Sequence, residues 1–358
     1  MNIFSSGSQK LLLYPQRIYD WQKHKPIIPI TLEIQPSEQC NHNCPSCQSQ
    51  YSLGKTNAKE KSINGQFLDP SKLDSIWKLP PEGIVLSGNT GDPLLHPKID
   101  EIIKKIDENH IPLIMITNGQ AITENLAQHI LQSCRGLRIS LDAADENSYS
   151  ISHGVSTNNW NDIIEKISII VKMKKNLINS NCSVGLGFLT SSRTKHLMFE
   201  AANLAKSLGV DYIQFRPYHY DYTDVTRELL DCQNLENNKF KIHASFQKYS
   251  RLGDCISGLG CQASWFYTVL DACGNLYICC HNVGKEDAKV GSLVDGNWDE
   301  FIFSQKRSQK IETYNKEFCI PNCRLFTQNH LLHELRSKNS PPLAPSLNKQ
   351  IVFHAPFL

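Results

Sequence analysis

The sequence predicts an α/β fold built on a parallel sheet, followed by a smaller cysteine-rich region. From residue 28 to 217, short β-like apolar runs alternate with longer amphipathic stretches, six times in order. After residue 217 the alternation stops and a polar, tyrosine-rich segment follows. The thirteen cysteines fall mainly into two groups, one on either side of that change.

The expected strands are 30–34, 83–87, 113–117, 137–141, 183–188 and 212–215, with helices between them at about 71–79, 97–109, 121–133, 158–176 and 194–208. Ser71 or Asp69 signals the first helix start, Thr123 with Glu124 signals the third, and Gly209 reads as a C-cap. Six such steps imply a partial barrel or an open parallel sheet, and in either, ligands gather at the C-terminal ends of the strands. The chemically loaded residues fall at those ends: a cysteine group after strand one, Gly88–Pro93 after strand two, Thr117–Gly119 after strand three, and Ser140 and Asp142 at strand four. Beyond 217, one helical stretch is expected within 218–254. Strand-like pieces at 266–270 and 276–279 surround a Gly274-Asn275 turn, a helix is expected at about 298–311, and a Pro/Ser-rich tail from Ser337 reads as extended or partly disordered.

The 358 residues carry 37 Lys+Arg against 35 Asp+Glu, a formal charge of +2 that leaves no basic footprint for nucleic acid. No apolar run approaches the ~18 residues of a spanning helix, and Leu11–Leu13 is too short for a signal-peptide core. A soluble, cytoplasmic protein is expected, and in a reducing compartment thirteen thiols suggest metal or redox chemistry rather than disulfides.

Cys40, Cys44 and Cys47 form a tight C-x3-C-x2-C group, while Cys255, Cys261, Cys273, Cys279, Cys280, Cys319 and Cys323 lie in the last third. Cys134, Cys182 and Cys232 stand alone; the first two read as small buried hydrophobes. Three thiolates on one short loop suit an iron–sulfur cluster, and three ligands on a four-iron cluster leave one iron open for chemistry. A zinc loop completed by His42 or a distant cysteine is the alternative. TNG at 117–119 also reads as a plain turn, and Gly185 and Gly187 as close-packing glycines.

Taken in order, these motifs resemble the radical S-adenosylmethionine (radical SAM) enzymes over roughly residues 14–330. CNHNCPSC at 40–47 is similar to that family's cluster loop, and SGNTGDPLLHP at 87–97 to its glycine-rich motif for the cofactor's methionine amino group. Thr90-Gly91-Asp92-Pro93 stands where the family carries Gly-Gly-Glu-Pro; Asp92 keeps the carboxylate one methylene shorter, and backbone contacts at Thr90 and Gly91 would survive. The resemblance implies a partial (β/α)6 parallel barrel and reductive cleavage of S-adenosylmethionine to a 5′-deoxyadenosyl radical. It further places Asn118, Ser140 and Asp142 near the cofactor's ribose or methionine and Gly185 near its adenine. An external electron donor such as flavodoxin or ferredoxin is implied, with neither nucleic acid nor membrane as partner.

The segment CQASWFYTVLDACGNLYICC with the late C-x3-C resembles the family's auxiliary-cluster (SPASM or twitch) extension, a small C-terminal α+β module. The shortened form with one second 4Fe–4S cluster is expected, ligated by Cys261, Cys279, Cys319 and Cys323; Cys280 is the alternative to Cys279 because neighbours on a strand face opposite ways. The implied organisation is an N-terminal extension (1–27), a core (28–217), a connecting segment (218–254), an auxiliary-cluster domain (255–336) and a tail (337–358). Arg216, whose planar fork suits a carboxylate or phosphate, and His219 are candidate substrate contacts at the sixth strand end. His96, His110, His129, His153 and His243 have no spacing that suggests a metal site.

About thirty residues precede the first strand, which favours a small substrate (a sugar, aminocyclitol or sugar nucleotide) over a peptide needing its own recognition domain. A ribosomal-peptide maturase or epimerase, with Cys255 or Cys232 returning a hydrogen atom, is the alternative within the family. A non-catalytic zinc-binding module is the alternative outside it.

Overall fold

The computed structural model describes residues 10–47, 65–89, 91–178, 180–244, 249, 260–314, 319–337 and 357. After α1 (Pro15–Gln22) come β1 (Thr31–Ile34), a 3₁₀ helix (Pro70–Lys78), β2 (Gly83–Leu86), α2 (Ile99–Glu108), β3 (Leu113–Thr117), α3 (Glu124–Ser133) and β4 (Gly136–Ser140). The chain continues through α4 (Glu146–His153), α5 (Asn158–Asn176), β5 (Ser183–Thr190), α6 (Met198–Leu208), β6 (Tyr212–Pro217), α7 (Thr226–Gln233) and β7 (Lys241–Ala244). The C-terminal part holds β8 (Tyr267–Leu270), β9 (Asn275–Tyr277), β10 (Lys289–Ser292), α8 (Trp298–Phe303), α9 (Gln305–Thr313) and α10 (Phe326–Ser337).

These strands form one sheet in the order β10-β9-β8-β1-β2-β3-β4-β5-β6-β7. Strands β1 to β7 run parallel in chain order, the expected α/β partial barrel with one more strand than the sequence suggests. The C-terminal part is not appended loosely. Strand β8 pairs parallel with β1, Thr31 opposite Tyr267 and Glu33 opposite Val269, and carries the antiparallel β9–β10 hairpin with it.

Local chemistry accounts for the elements. Helix α2 buries Ile99, Ile102, Ile103 and Ile106, the spacing of one helical face, with Asp100 and Glu101 complementing its N-terminus. Thr123 caps α3 by accepting the Leu126 N–H, and α6 ends on Gly209 at φ +77. The first expected helix forms as 3₁₀, capped by Asp69. Its buried Pro70, Leu73 and Ile76 recur every three residues, which matches that helix and not an α-helix. The expected C-terminal helix is divided at Ser304 into α8 and α9. The tail from 338 to 356 lies outside the described residues.

The barrel lumen is polar on one side. Side chains alternate across strands, so Arg138 and Ser140 of β4, Gly185, Gly187 and Leu189 of β5, and Tyr212, Gln214 and Arg216 of β6 share the inner face. The two β5 glycines make room for their neighbours. The Tyr212 ring lies where a Cβ on Gly185 would stand, and the Arg138 stem passes Gly187 at ordinary contact distance, 3.6 Å from its Cβ position. Arg138 then donates to Gln214 Oε1 at 2.6 Å.

Gly185→Val is expected to destabilise the fold by about 1–3 kcal/mol, the cost of overpacking, because the Tyr212 ring has no space to retreat. Gly187→Ala is expected to fall within about 1 kcal/mol of wild type. Urea denaturation of both variants checks the contrast, and equal stabilities would contradict the packing described.

Candidate active site

The loops after β1 to β6 converge on a cavity of about 290 Å³ at the C-terminal ends of the parallel strands. Cys40, Cys44 and Cys47 line it together with Gly91, Asp92, Pro93, Asn118, Ser140, Asp142, Arg216 and His219, residues that span 180 positions of sequence. Thr90 lies outside the described residues. Gly185 does not line the cavity; the Tyr212 ring fills the space above it.

The cysteine loop is held from several sides. Cys40 Sγ accepts from the His42 backbone N–H at 3.5 Å and from Asn118 Nδ2 at 3.9 Å, and Cys47 donates to the Asn89 carbonyl at 3.6 Å. The Asn43 N–H bonds the His153 carbonyl at 3.0 Å, seating the loop on the end of α4. There Gly154, at φ +62, leaves no room for a Cβ against the Asn43 carbonyl. Burial pushes the Cys40 thiol up to about 12 and raises that of Cys44 well above its ordinary value. Thiols so buried are poor unaided nucleophiles and become thiolates when a metal replaces the proton. Three cysteines on one cavity wall fit the three-cysteine cluster that the loop spacing suggests.

The fold also brings His153 to the cysteine loop. It joins His42 and Cys44 in a group whose ligand atoms lie within 4.8 Å of one another. His153 Nδ1 stands 3.5 Å from Cys44 Sγ and 3.2 Å from His42 Nδ1, while its Nε2 donates to the Leu141 carbonyl at 2.8 Å. Burial holds both imidazoles neutral, with His42 pushed down to about 3. Spacing could not show this contact across 109 positions.

Asp92 has a role its motif does not disclose. Thr117 Oγ1 reaches both its oxygens at 2.8 Å, and the N–H groups of Asn118 and Leu94 donate at 2.7 and 3.0 Å. Burial raises its pKa and these donors oppose the rise. The carboxylate therefore ties the β2 loop to the end of β3. The same loop packs so closely on the cysteine loop that a Cβ at Gly91 would strike the Ser37 and Gln39 carbonyls.

The second cysteine group lies beside this cavity. Cys279 is near enough to Cys261 and Cys323 for their charges to interact, and Cys261 to Cys319. Burial raises the thiols of Cys261 and Cys279. Cys280 interacts with Tyr267 and Asn89. Cys273 is exposed, Cys134, Cys182 and Cys232 are buried, and Cys255 lies outside the described residues. Residues flanking the group touch the cavity wall: His281 packs edge-on against His219 with centroids 4.7 Å apart, and Asn322 Nδ2 donates to the Tyr218 and His219 carbonyls at 3.2 Å.

Glu33 joins barrel and C-terminal part. It is 2% exposed, and its carboxylate accepts from Gln35 at 2.9 Å, Ser87 at 2.8 Å, Arg324 at 2.8 Å and the Tyr267 hydroxyl. Burial resists its ionisation, but Arg324, Tyr267, Gln35 and Ser87 together hold the pKa below its usual 4.5.

A partial parallel barrel with three thiols after its first strand and a glycine-rich acidic loop after its second is the site of a radical SAM domain. Residues 34–201 match the Radical SAM superfamily model, so this stretch is a radical SAM domain. The tungsten-containing aldehyde ferredoxin oxidoreductase cofactor-modifying protein of Pyrococcus furiosus is 22% identical over 186 residues, 50% of this chain and 49% of that protein. The match therefore spans about half of that curated relative's length. Streptococcus suis SuiB bound to precursor peptide SuiA superposes with a TM-score of 0.61 at 15% identity, covering 84% of this chain and 70% of SuiB. A histidine-tagged anSMEcpe with bound AdoMet gives 0.58 at 16% identity, covering 91% of this chain and 97% of its own. No helix among the described residues is long and apolar enough to cross a membrane.

Glu33→Gln is expected to cost about 1–3 kcal/mol near neutral pH, because it leaves the part-buried Arg324 charge without its carboxylate. A carboxylate with a lowered folded pKa stabilises above its unfolded value near 4.5, and that contribution is lost as pH falls through the folded value. The gap between wild type and variant should therefore narrow on acidification. A gap that stays constant across the acidic range in urea denaturation would contradict the assignment.

Proposed function

We propose that the protein is a radical SAM oxidoreductase that acts on a small molecule and carries an auxiliary four-iron cluster beside its reactive one. The observation that carries this reading is the gathering of Cys261, Cys279, Cys319 and Cys323 next to the wall of the three-cysteine cavity. Among the described residues, the only His, Cys and carboxylate group within 4.8 Å is His42, Cys44 and His153. The C-terminal set is assigned a cluster on its resemblance to the family's auxiliary-cluster extension.

The reactive cluster would rest on Cys40, Cys44 and Cys47 and supply reductive cleavage of S-adenosylmethionine, giving a radical that removes hydrogen from the substrate. The chain's own residues do the rest. Gly91 would offer backbone to the cofactor's amino acid part, with Asp92 bracing that loop; Asn118, Ser140 and Asp142 stand at the strand ends around it. The C-terminal thiols would hold a second cluster placed to accept the electron left on the substrate, and an external carrier such as flavodoxin or ferredoxin would reduce the first. A peptide substrate is the second reading. Its support is the likeness to SuiB and anSMEcpe, whose solved structures include complexes with peptides.

Alanine at Cys40, Cys44 or Cys47 is expected to abolish 5′-deoxyadenosine formation in the anaerobically reconstituted enzyme. Alanine at Cys319 or Cys323 should spare that cleavage better than product turnover. Iron content of about eight per chain is expected for two four-iron clusters. Product two daltons lighter than substrate supports oxidation; an unchanged mass with solvent deuterium incorporated supports epimerisation instead. A colourless, zinc-only protein forming no 5′-deoxyadenosine would overturn the reading.

A further inference from the structure

Among the described residues, the lumen beneath the cavity holds more guanidinium groups than carboxylates that face them. Three arginines meet there: Arg138 from β4, Arg216 from the end of β6, and Arg324, each close enough to the others for their charges to repel. Arg324 is paired with Glu33 at 2.8 Å. Among the described residues, Arg138 bonds only the uncharged Gln214 side chain. Arg216 forms no ion pair or side-chain hydrogen bond among the described residues, its Nε is buried without a partner, and it lines the cavity. Asp142 is the acid near both of these arginines, and its Oδ1 is engaged by the Leu189 N–H. One carboxylate thus faces two guanidinium groups. A buried cation left without a counter-charge is costly, and a ligand anion relieves that cost.

We infer that the substrate carries an oxyanion, a carboxylate or phosphate, which docks on the Arg216 fork, with Arg138 behind it as a positioning charge. Two planar N–H donors match two oxygens of such a group. The hydroxyls of Ser191 and Thr194, 3.0 Å apart on the same wall, add short polar contacts. Docking here would seat a substrate against β6, across the cavity from the cysteine loop on β1. The inference rests on the cavity being a radical SAM active site. The competing occupant of Arg216 is the carboxylate of S-adenosylmethionine itself.

The test is arginine footprinting with phenylglyoxal on the reconstituted holoenzyme with S-adenosylmethionine bound, read by peptide mass spectrometry, with exposed Arg227 as reference. Inorganic phosphate and acetate are the probes, and the stronger protector identifies the oxyanion class. Modification of Arg216 should slow about tenfold with the better anion at about ten times its dissociation constant, while Arg227 is unaffected. Arg216→Gln should lose binding of labelled phosphate or acetate in equilibrium dialysis with cofactor affinity unchanged. Protection of Arg216 by the cofactor alone, with no further effect of either anion, would overturn the inference, as would loss of cofactor affinity in Arg216→Gln. Failure of the underlying reading shows separately, as wild type that forms no 5′-deoxyadenosine.

Discussion

Burying the Glu33 carboxylate in the barrel lumen is the constraint on which the rest of the arrangement depends. An isolated ionised group there would cost several kcal/mol, so it must gather donors from whatever packs against β1. It draws on Ser87 at the end of β2, Tyr267 of β8 and Arg324, which follows Cys323 directly. Arg324 also lies over the Tyr267 ring, 4.4 Å from its centroid. The parallel pairing of β8 with β1 and this charge network fix one another. Together they place the C-terminal thiols against the catalytic barrel instead of at the end of a flexible tether.

A second buried cation closes the opposite side of that joint. Arg307, 0% exposed, donates to the Ile27, Trp265 and Ile302 carbonyls and packs over the Trp265 and Phe301 rings. It thereby links the approach to β1, the segment before β8 and the turn between α8 and α9. The two thiol groups are thus carried on one continuous sheet. In the proposed two-cluster enzyme, a rigid joint of this kind would hold the two centres at a fixed separation.

Much of this is legible in the sequence, and the remainder has definable causes. Strands β1 to β6 are apolar runs bounded by breakers, and the cysteine triplet carries its own spacing, so both can be read locally. Strand β7 has only Lys241–Ala244, and α4 buries only Tyr149 and His153, too few positions to show a period. The hairpin around Gly274 is readable, but its docking on β1 depends on Glu33 meeting Arg324 across 291 positions. The one local sign is a carboxylate inside the apolar run TLEI. Asp92 shows the converse: its motif is recognisable, but whether the carboxylate faces a ligand or braces the loop depends on Thr117 and Asn118. Gly185 reads in the sequence as a glycine beside the cofactor's adenine, and in the fold it makes room for Tyr212.

The central claim is that an open cluster and a closed one share this sheet. Electron paramagnetic resonance of the reduced, reconstituted enzyme tests it most directly, with and without S-adenosylmethionine. Two reduced-cluster signals are expected, of which the cofactor perturbs one, and replacing Cys40, Cys44 and Cys47 together by alanine should leave the unperturbed signal alone. A single signal in the wild type, or loss of every signal in that variant with its fold intact, would contradict the account.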